Sequence, residues 1–412
     1  MKIAVVAPAI EMGGMETTLF RLVGRLLASG AKVTLVTTLR RGVWHGRLQD
    51  LGVDVTPLFQ PAGRSTMRHA QVVGTFLGAS RFDAVIVNHS VAAQAALAML
   101  DDRVAVLPVV HNHDAWVYDV ACSNADRWNA LVAVGEQLRS GAAERVGARR
   151  PVRLIANGVD TPDDLPARPP LDASRPLHVA FVGRLYHHQK GVLHLPAIVS
   201  GCVDAGCDVR LTVAGDGPDR DALVREIDRS GLAGRVNLVG PLRPDEALRL
   251  MADADALLMP SFYEGLPIAL LEAMAHGCVP VASLLAGITS AVVRDGIDGV
   301  LVPPRDVRGF SAALARLRSA PDALETMRRA ARSRIQSAYS AQSMADGYMT
   351  LIDEALGGRL PLPVPRGHGP RIDTSLMRPR DRLPRVAGDL LDTTRRWRRT
   401  VAVQSAMTWR RA

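Results

Sequence analysis

The stretch Pro260–Pro280, PSFYEGLPIALLEAMAHGCVP, decides how the rest of the chain is read. The apolar run Ala256–Met259 before it predicts a buried strand ending at Pro260-Ser261, and Phe262–Gly265 a short polar loop. From Pro267 the run PIALLEAMAH meets no breaker until Gly277. Pro at the first helical position and Gly just past the last is the expected asymmetry of a helix. Ile268, Leu271 and Ala275, with Leu270 and Met274, share an apolar face at helical spacing. Val279–Ala282 predicts the next strand. Two carboxylates interrupt this unit, Glu264 in the loop and Glu272 in the helix, with seven residues between them. The helix leaves the first-turn N–H groups of Ile268 and Ala269 facing the loop mouth, where a phosphate is favoured. Eight helical residues rise about 12 Å, so the two Glu can grip different parts of one elongated ligand. That is the length scale of a sugar joined through a diphosphate to a ribose.

The same residues, PS before the first Glu, EAMA around the second and G-x-PV after, resemble the E-x₇-E signature of the family 4 retaining glycosyltransferases. The bland alternative is an ordinary βαβ crossover with two solvent-facing Glu. The resemblance implies a GT-B fold: two doubly wound parallel-sheet, Rossmann-like domains facing across a cleft. Further motifs recur in the family's order along most of the chain.

Length and composition agree with two domains. A chain of 412 residues exceeds one ordinary core, and 48% hydrophobic with 22% charged residues is globular. No run of 18 apolar residues exists, so no membrane-spanning helix is expected. MKIAVVAP reads as a buried strand rather than a signal peptide. Cys122, Cys202, Cys207 and Cys278 form no C-x-x-C pair and suit a reduced, cytoplasmic protein. The net charge of +9 is uneven: residues 359–412 hold 13 Arg, no Lys and 4 Asp, which leaves the first 358 residues neutral. The body therefore gives no reason to expect a nucleic-acid partner.

Strand Ile3–Ala7 leads into a loop holding Gly13-Gly14, then a helix from Glu16 to about Ala28 and strand Val33–Thr37. The loop lacks G-x-G-x-x-G, so the dinucleotide fingerprint is absent. Gly13-Gly14 is either a tight turn or a close backbone approach to phosphate. Strands Ala84–Val87, Val104–Val110, Leu131–Val134 and Val152–Ile155 follow in regular alternation with helices, which implies a parallel sheet. Ligands bind beyond the carboxyl ends of such strands, and His89, His111 and Asn157 sit at those ends. His111 and His113 form an H-x-H pattern; a third metal ligand at a recognisable spacing is missing. The Pro-rich Thr161–Pro176 reads as a linker. A second alternation follows, with strands His178–Val182, Val209–Ala214 and Val236–Val239, and closing helices from Asp306 to about Leu356. The expected domains are 1–165, a linker at 166–176, 177–337, a helix 338–357 that the resemblance implies crosses back to the first domain, and a basic tail 358–412. Within the tail, Arg385–Ala412 reads as a basic amphipathic helix able to dock on an anionic membrane surface.

Residue by residue, the resemblance implies roles. Glu264 and His111 would hold the donor sugar at the reacting carbon. Gly13, Gly14, Arg184, Lys190 and Ile268 would surround the donor diphosphate, with Lys190-Gly191 opening a helix. Glu272 would take the ribose hydroxyls, and Pro241 and Leu242 would lie near the base. Asp253-Ala254-Asp255 is D-x-D in form, but it straddles a helix end and a buried strand and reads as a chance match. Ala286-Gly287-Ile288-Thr289-Ser290 departs from the family's Gly-Gly-Ile-Pro-Glu, which puts that loop's usual contacts in doubt. The expected reaction is metal-independent, retaining transfer of a sugar from a nucleotide-diphosphate donor to a glycan or lipid-linked acceptor, with no cofactor. The expected place is the cytoplasm or the inner face of a membrane. The rival functions are a nucleotide-sugar epimerase and a catalytically silent binding subunit.

Overall fold

The computed structural model describes residues 1–10, 13–42, 44–59, 66–164, 168–172, 174–361 and 363. Two all-parallel sheets organise them. The first contains β1 (Lys2–Ala7), β2 (Lys32–Thr37), β3 (Asp54–Pro57), β4 (Ala84–Asn88), β5 (Ala105–Val110), β6 (Leu131–Ala133) and β7 (Val152–Leu154), in the order β3-β2-β1-β4-β5-β6-β7. The second contains β8 (Leu177–Val182), β9 (Val209–Ala214), β10 (Val236–Gly240), β11 (Ala256–Met259), β12 (Val279–Ser283) and β13 (Val300–Val302), in the order β10-β9-β8-β11-β12-β13. The central strands are continuous apolar runs because helices cover both faces, so alternation would bury polar groups. β4, β5, β11 and β12 are buried at every residue.

These are the paired Rossmann-like sheets that the sequence implied. The strand order of each reverses once, between β1 and β4 and between β8 and β11. At such a point the loops leave in opposite directions and open a crevice at the carboxyl ends of the strands. The four loops at the two reversals carry Gly13-Gly14, His89, Gly183-Arg184 and Ser261–Gly265. Topology thus delivers to one cleft residues scattered over more than half of the chain.

The first core joins this sheet to the helix Ala341–Leu356 through Met344, Tyr348, Leu351 and Ile352. Two further clusters cover the faces of the second sheet, and the helix Ile268–Ala275 supplies Leu270, Leu271 and Met274 to one of them. Among the described residues no helix is long and apolar enough to cross a membrane. The expected helix Arg385–Ala412 lies outside the described residues.

One local expectation needs correction and another an addition. Pro267 is not the first helical residue: with φ −74° and ψ 107° it is the extended N-cap, and Ile268 opens the helix. The ring satisfies φ in either place, but ψ turns the chain in from the loop before the helix begins. Lys190-Gly191 is a junction: Gly191 opens the 3-10 turn Val192–His194, which runs into the helix Leu195–Asp204, as expected, but a short helix also precedes it. Lys190 ends the one-turn helix His187–Lys190, and Gly191 caps it at φ 64°. A Cβ at Gly191 would lie 2.2 Å from the Pro260 carbonyl oxygen, so only glycine lets the two loops meet there.

Candidate active site

Glu264 comes from the loop after β11 and Lys190 from the loop after β8. Lys190 Nζ donates to Glu264 Oε1 at 2.6 Å, and Ser261 Oγ donates to the same oxygen at 2.7 Å. The Glu264 side chain is 5% exposed, so this pairing is what keeps a charge tolerable there. Both contacts fall on Oε1, which leaves Oε2 for a ligand. Behind the loop, the N–H groups of Ile268 and Ala269 have no backbone acceptor. They form the open positive end of the helix Ile268–Ala275. Arg184 is exposed beyond β8, stacked over the Tyr186 ring at 5.7 Å, and has no carboxylate partner among the described residues.

The first domain meets this surface at Gly14. A Cβ there would lie 3.2 Å from Ile268 Cγ1, so the glycine loop and the helix end face each other at contact distance. Gly13 is extended, and a Cβ on it would press on the Glu16 carboxylate at 2.6 Å. Glu272, one helical stretch beyond Glu264, is not free. Arg21 Nη2 of the helix Gly14–Ala28 donates to its Oε1 at 2.6 Å, across the cleft. Arg21 Nε also lies 3.5 Å from Asp160, and Arg21 Nη1 is buried with no partner. Pro241 and Leu242 lie between Gly240 and the helix Pro244–Asp253, at whose start Asp245 sits 3.6 Å from Arg47 of the first domain.

His111 projects from the end of β5. The Asn88 amide donates through Nδ2 to the Val6 carbonyl, so its Oδ1 can only accept, and His111 Nε2–H donates to it at 2.8 Å. Nδ1 therefore carries the lone pair, and it is buried without a partner. Burial first, and the neighbouring His89 second, push the His111 pKa well below the ordinary imidazole value, so the ring is neutral. His113 is exposed, with Nδ1 3.4 Å from the Tyr118 hydroxyl, and does not share that position. A Cβ on Gly265 would sit 3.0 Å from the His111 carbonyl oxygen, so the loop carrying Glu264 packs on the loop carrying His111.

Asp255 is engaged elsewhere: Arg175 Nη1 and Nη2 hold its two oxygens at 2.7 and 3.0 Å, and the His178 N–H adds a third bond. The loop Ala286–Ser290 has its own contact, because Gln137 of the first domain donates to the Ala286 carbonyl. The site thus gathers Gly14, Ile268, Lys190, Glu264 and His111 in contact or through adjoining loops, and joins Glu272 to them through the helix. Arg21 and Ser261 were not singled out from sequence. Arg21 reads there as the polar face of an amphipathic helix, and its partner is 251 residues away. Ser261 stands three residues before Glu264, a spacing at which a loop hydroxyl can reach a carboxylate.

Comparison with known proteins gives the same picture. The family description "Glycosyltransferase Family 4" matches residues 12–162, and "Glycosyl transferases group 1" matches residues 176–319. Glycogen synthase of Mycobacterium tuberculosis is 34% identical over 198 residues, 47% of this chain and 46% of that protein. Alpha-maltose-1-phosphate synthase of Mycolicibacterium smegmatis is 33% identical, over 49% of this chain and 55% of that protein. The chain spans about half the length of these curated relatives. Among solved structures, HepE of Anabaena in complex with UDP and glucose superimposes with a TM-score of 0.70 at 19% identity, over 86% of this chain and all of that one. TarM of S. aureus superimposes at 0.71 with 12% identity, over 85% and 99%. At these identities the structures show the shared fold.

Proposed function

Because the chain belongs to the family 4 glycosyltransferases of GT-B fold, we propose that it transfers a sugar, with retention of configuration, from a nucleotide-diphosphate donor to a glycan or lipid-linked acceptor. The observation that carries this reading is the buried Lys190–Glu264 pair beside the open helix end at Ile268, with Gly14 against it from the other domain.

The chemistry follows from charge. When the anomeric carbon–oxygen bond breaks, a third negative charge develops on the nucleoside diphosphate, the second on its terminal phosphate. Arg184, Lys190 and the N–H groups of Ile268 and Ala269 are positive groups already in place to receive it, which is the largest electrostatic contribution expected. Lys190 bridges the leaving phosphate and Glu264, and Glu264 accepts from donor-sugar hydroxyls through Oε2. His111 offers a neutral lone pair at Nδ1 from the opposite wall. Glu272 takes the ribose hydroxyls, which displaces Arg21. No carboxylate stands free as a nucleophile in this scheme; the acceptor attacks on the leaving-group face, and a phosphate oxygen takes its proton. Closure over the donor excludes water.

Thermal scanning of the full chain against UDP-, GDP- and ADP-sugars identifies the donor, and NMR of the transferred anomeric centre then tests retention. Stabilisation by none of them, or an inverted product, would sink this reading. Activity is expected to survive chelation, since cations of the chain take the place of a divalent ion. Loss in EDTA restored by magnesium or manganese would overturn that. The neutral body and the tail's charge of +9 support peripheral docking on an anionic membrane. Co-sedimentation with anionic and neutral vesicles, compared with a chain ending at Gly358, tests it.

A further inference from the structure

Beside the donor pocket, and sharing only His111 with the proposed donor contacts, the first domain carries a second group of side chains. His89 ends β4 and adopts φ 52°, the left-handed region that a non-glycine residue occupies only when its surroundings hold it there. Its ring meets the His111 ring edge-on at 5.1 Å and the Trp116 indole at 5.5 Å. Trp116 lies in the first turn of the helix Ala115–Cys122 and is 44% exposed, although a large indole ordinarily seeks cover. Trp44 and Trp128, by contrast, are 4% and 0% exposed. Beside this open indole face, His89 Nε2 and His111 Nδ1 are both buried and both lack a hydrogen-bond partner. His111 Nδ1 faces the donor sugar in the reaction proposed above; His89 Nε2, unmet at the edge of an open indole, calls for a ligand of its own.

The chemistry of that ligand is narrow. A flat, exposed aromatic face covers the C–H face of a pyranose ring, and unmet imidazole nitrogens at its edge exchange hydrogen bonds with ring hydroxyls. Burial holds His89 at a pKa of about 4, and His111 is also lowered, so both are neutral and offer no charge to a phosphate. The group adjoins the Glu264 loop, because Gly265 packs against His111 and Asn112. We propose that Trp116 and His89 form a subsite for a neutral pyranose, which seats the acceptor sugar beside the donor sugar at His111; the acceptor assignment rests on the transferase reading above.

Saturation-transfer NMR on the full chain with UDP tests this, using methyl α-D-glucopyranoside, methyl α-D-mannopyranoside, methyl β-D-galactopyranoside and maltose as probes. We expect saturation of the ring-face protons of at least one probe. The signal should persist in Trp116→Tyr, fall at least tenfold in Trp116→Ala and fall several-fold in His89→Asn, where asparagine tolerates the left-handed backbone. UDP-induced thermal stabilisation should be equal in all four proteins, which also verifies that the variants fold. No saturation of any probe, or an unchanged signal in Trp116→Ala, would overturn the subsite. Saturation that depends on Trp116 while no nucleotide stabilises the protein would keep the sugar site and overturn its assignment to an acceptor.

Discussion

The two walls of the cleft handle polarity in opposite ways. The second domain's wall is built from charge: Lys190 against Glu264, an uncommitted Arg184 and the exposed end of a helix. The first domain's wall at the same level is built from neutral rings, with His89 and His111 pushed away from protonation and Trp116 lying open. The difference teaches that the work is divided. In the proposed reaction, one wall answers the charge that develops on a leaving phosphate, and the other reads hydroxyls and ring faces. Only the Arg21–Glu272 pair crosses between them with full charges at hydrogen-bonding distance among the described residues.

Breaking the charged wall should cost most. Lys190→Ala leaves Glu264 buried and unpaired, and urea unfolding should show a loss of about 3–5 kcal/mol. In the double variant Lys190→Met with Glu264→Gln most of that stability should return while transfer stays abolished, which separates folding from chemistry. A smaller effect is expected at the far end of the same wall. Glu272→Ala removes a charged acceptor from the ribose, worth about 1.5–3 kcal/mol of nucleotide affinity by calorimetry. Unchanged affinity for UDP, GDP and ADP alike would take Glu272 out of the donor site.

The neutral wall should reveal itself through pH. The unfolded chain binds a proton at His89 near the ordinary value of 6.5, but the native ring resists until about 4. The unfolded state therefore holds more protons between those limits, and native stability falls as pH drops through that window. At pH 5 the His89 contribution is about 2 kcal/mol. His89→Asn should flatten the fall between pH 7 and 5 in urea midpoints, and an unaltered slope would show that the ring titrates normally. The smallest effect belongs to the crossing pair. If ribose replaces Arg21 on Glu272, Arg21→Ala should tighten nucleotide binding by about 1 kcal/mol, because the ribose then has no largely buried guanidinium to displace and the exchange is hydrogen bond for hydrogen bond. Weaker binding instead would mean that Arg21, through its unmet Nη1, touches the nucleotide itself.

The charged wall was legible because its parts are local. Glu264, Ile268 and Glu272 lie within one strand–loop–helix unit, and Arg184 and Lys190 within another, so spacing groups them and the family resemblance supplies their expected roles. The neutral wall was not. His89 stood out only as a residue at a strand end, and His111 drew its role from the family resemblance rather than from any pattern around it. Nothing in the one-dimensional pattern places Trp116 against His89, or tells that His89 adopts a left-handed backbone. The role of Arg21 depends on a packing across the cleft that no periodicity encodes. Pro267 misled for a simpler reason, since φ near −74° suits an N-cap as well as a first helical position and ψ cannot be read from the residue.

Gly158 gives the molecule its mechanical centre. The chain passes between the domains near Val159 and returns near Ser340, and the two passages are paired: the Val159 N–H donates to the Tyr339 carbonyl and the Ala341 N–H to the Val159 carbonyl. A Cβ on Gly158 would lie 2.3 Å from the Ser340 carbonyl oxygen, so the two passages touch with no side chain between them. Beyond this neck the chain is tied down, with Arg332 gripping the Pro162 and Asp163 carbonyls and Arg168 those of Met251, Ala252 and His276. A swing of one domain against the other about Gly158–Val159 and Ser340 would turn on a narrow axis. A small rotation there is multiplied by the lever arm out to the cleft mouth. The gap between His111 and Glu264 is thereby geared to a handful of backbone torsions far from the chemistry.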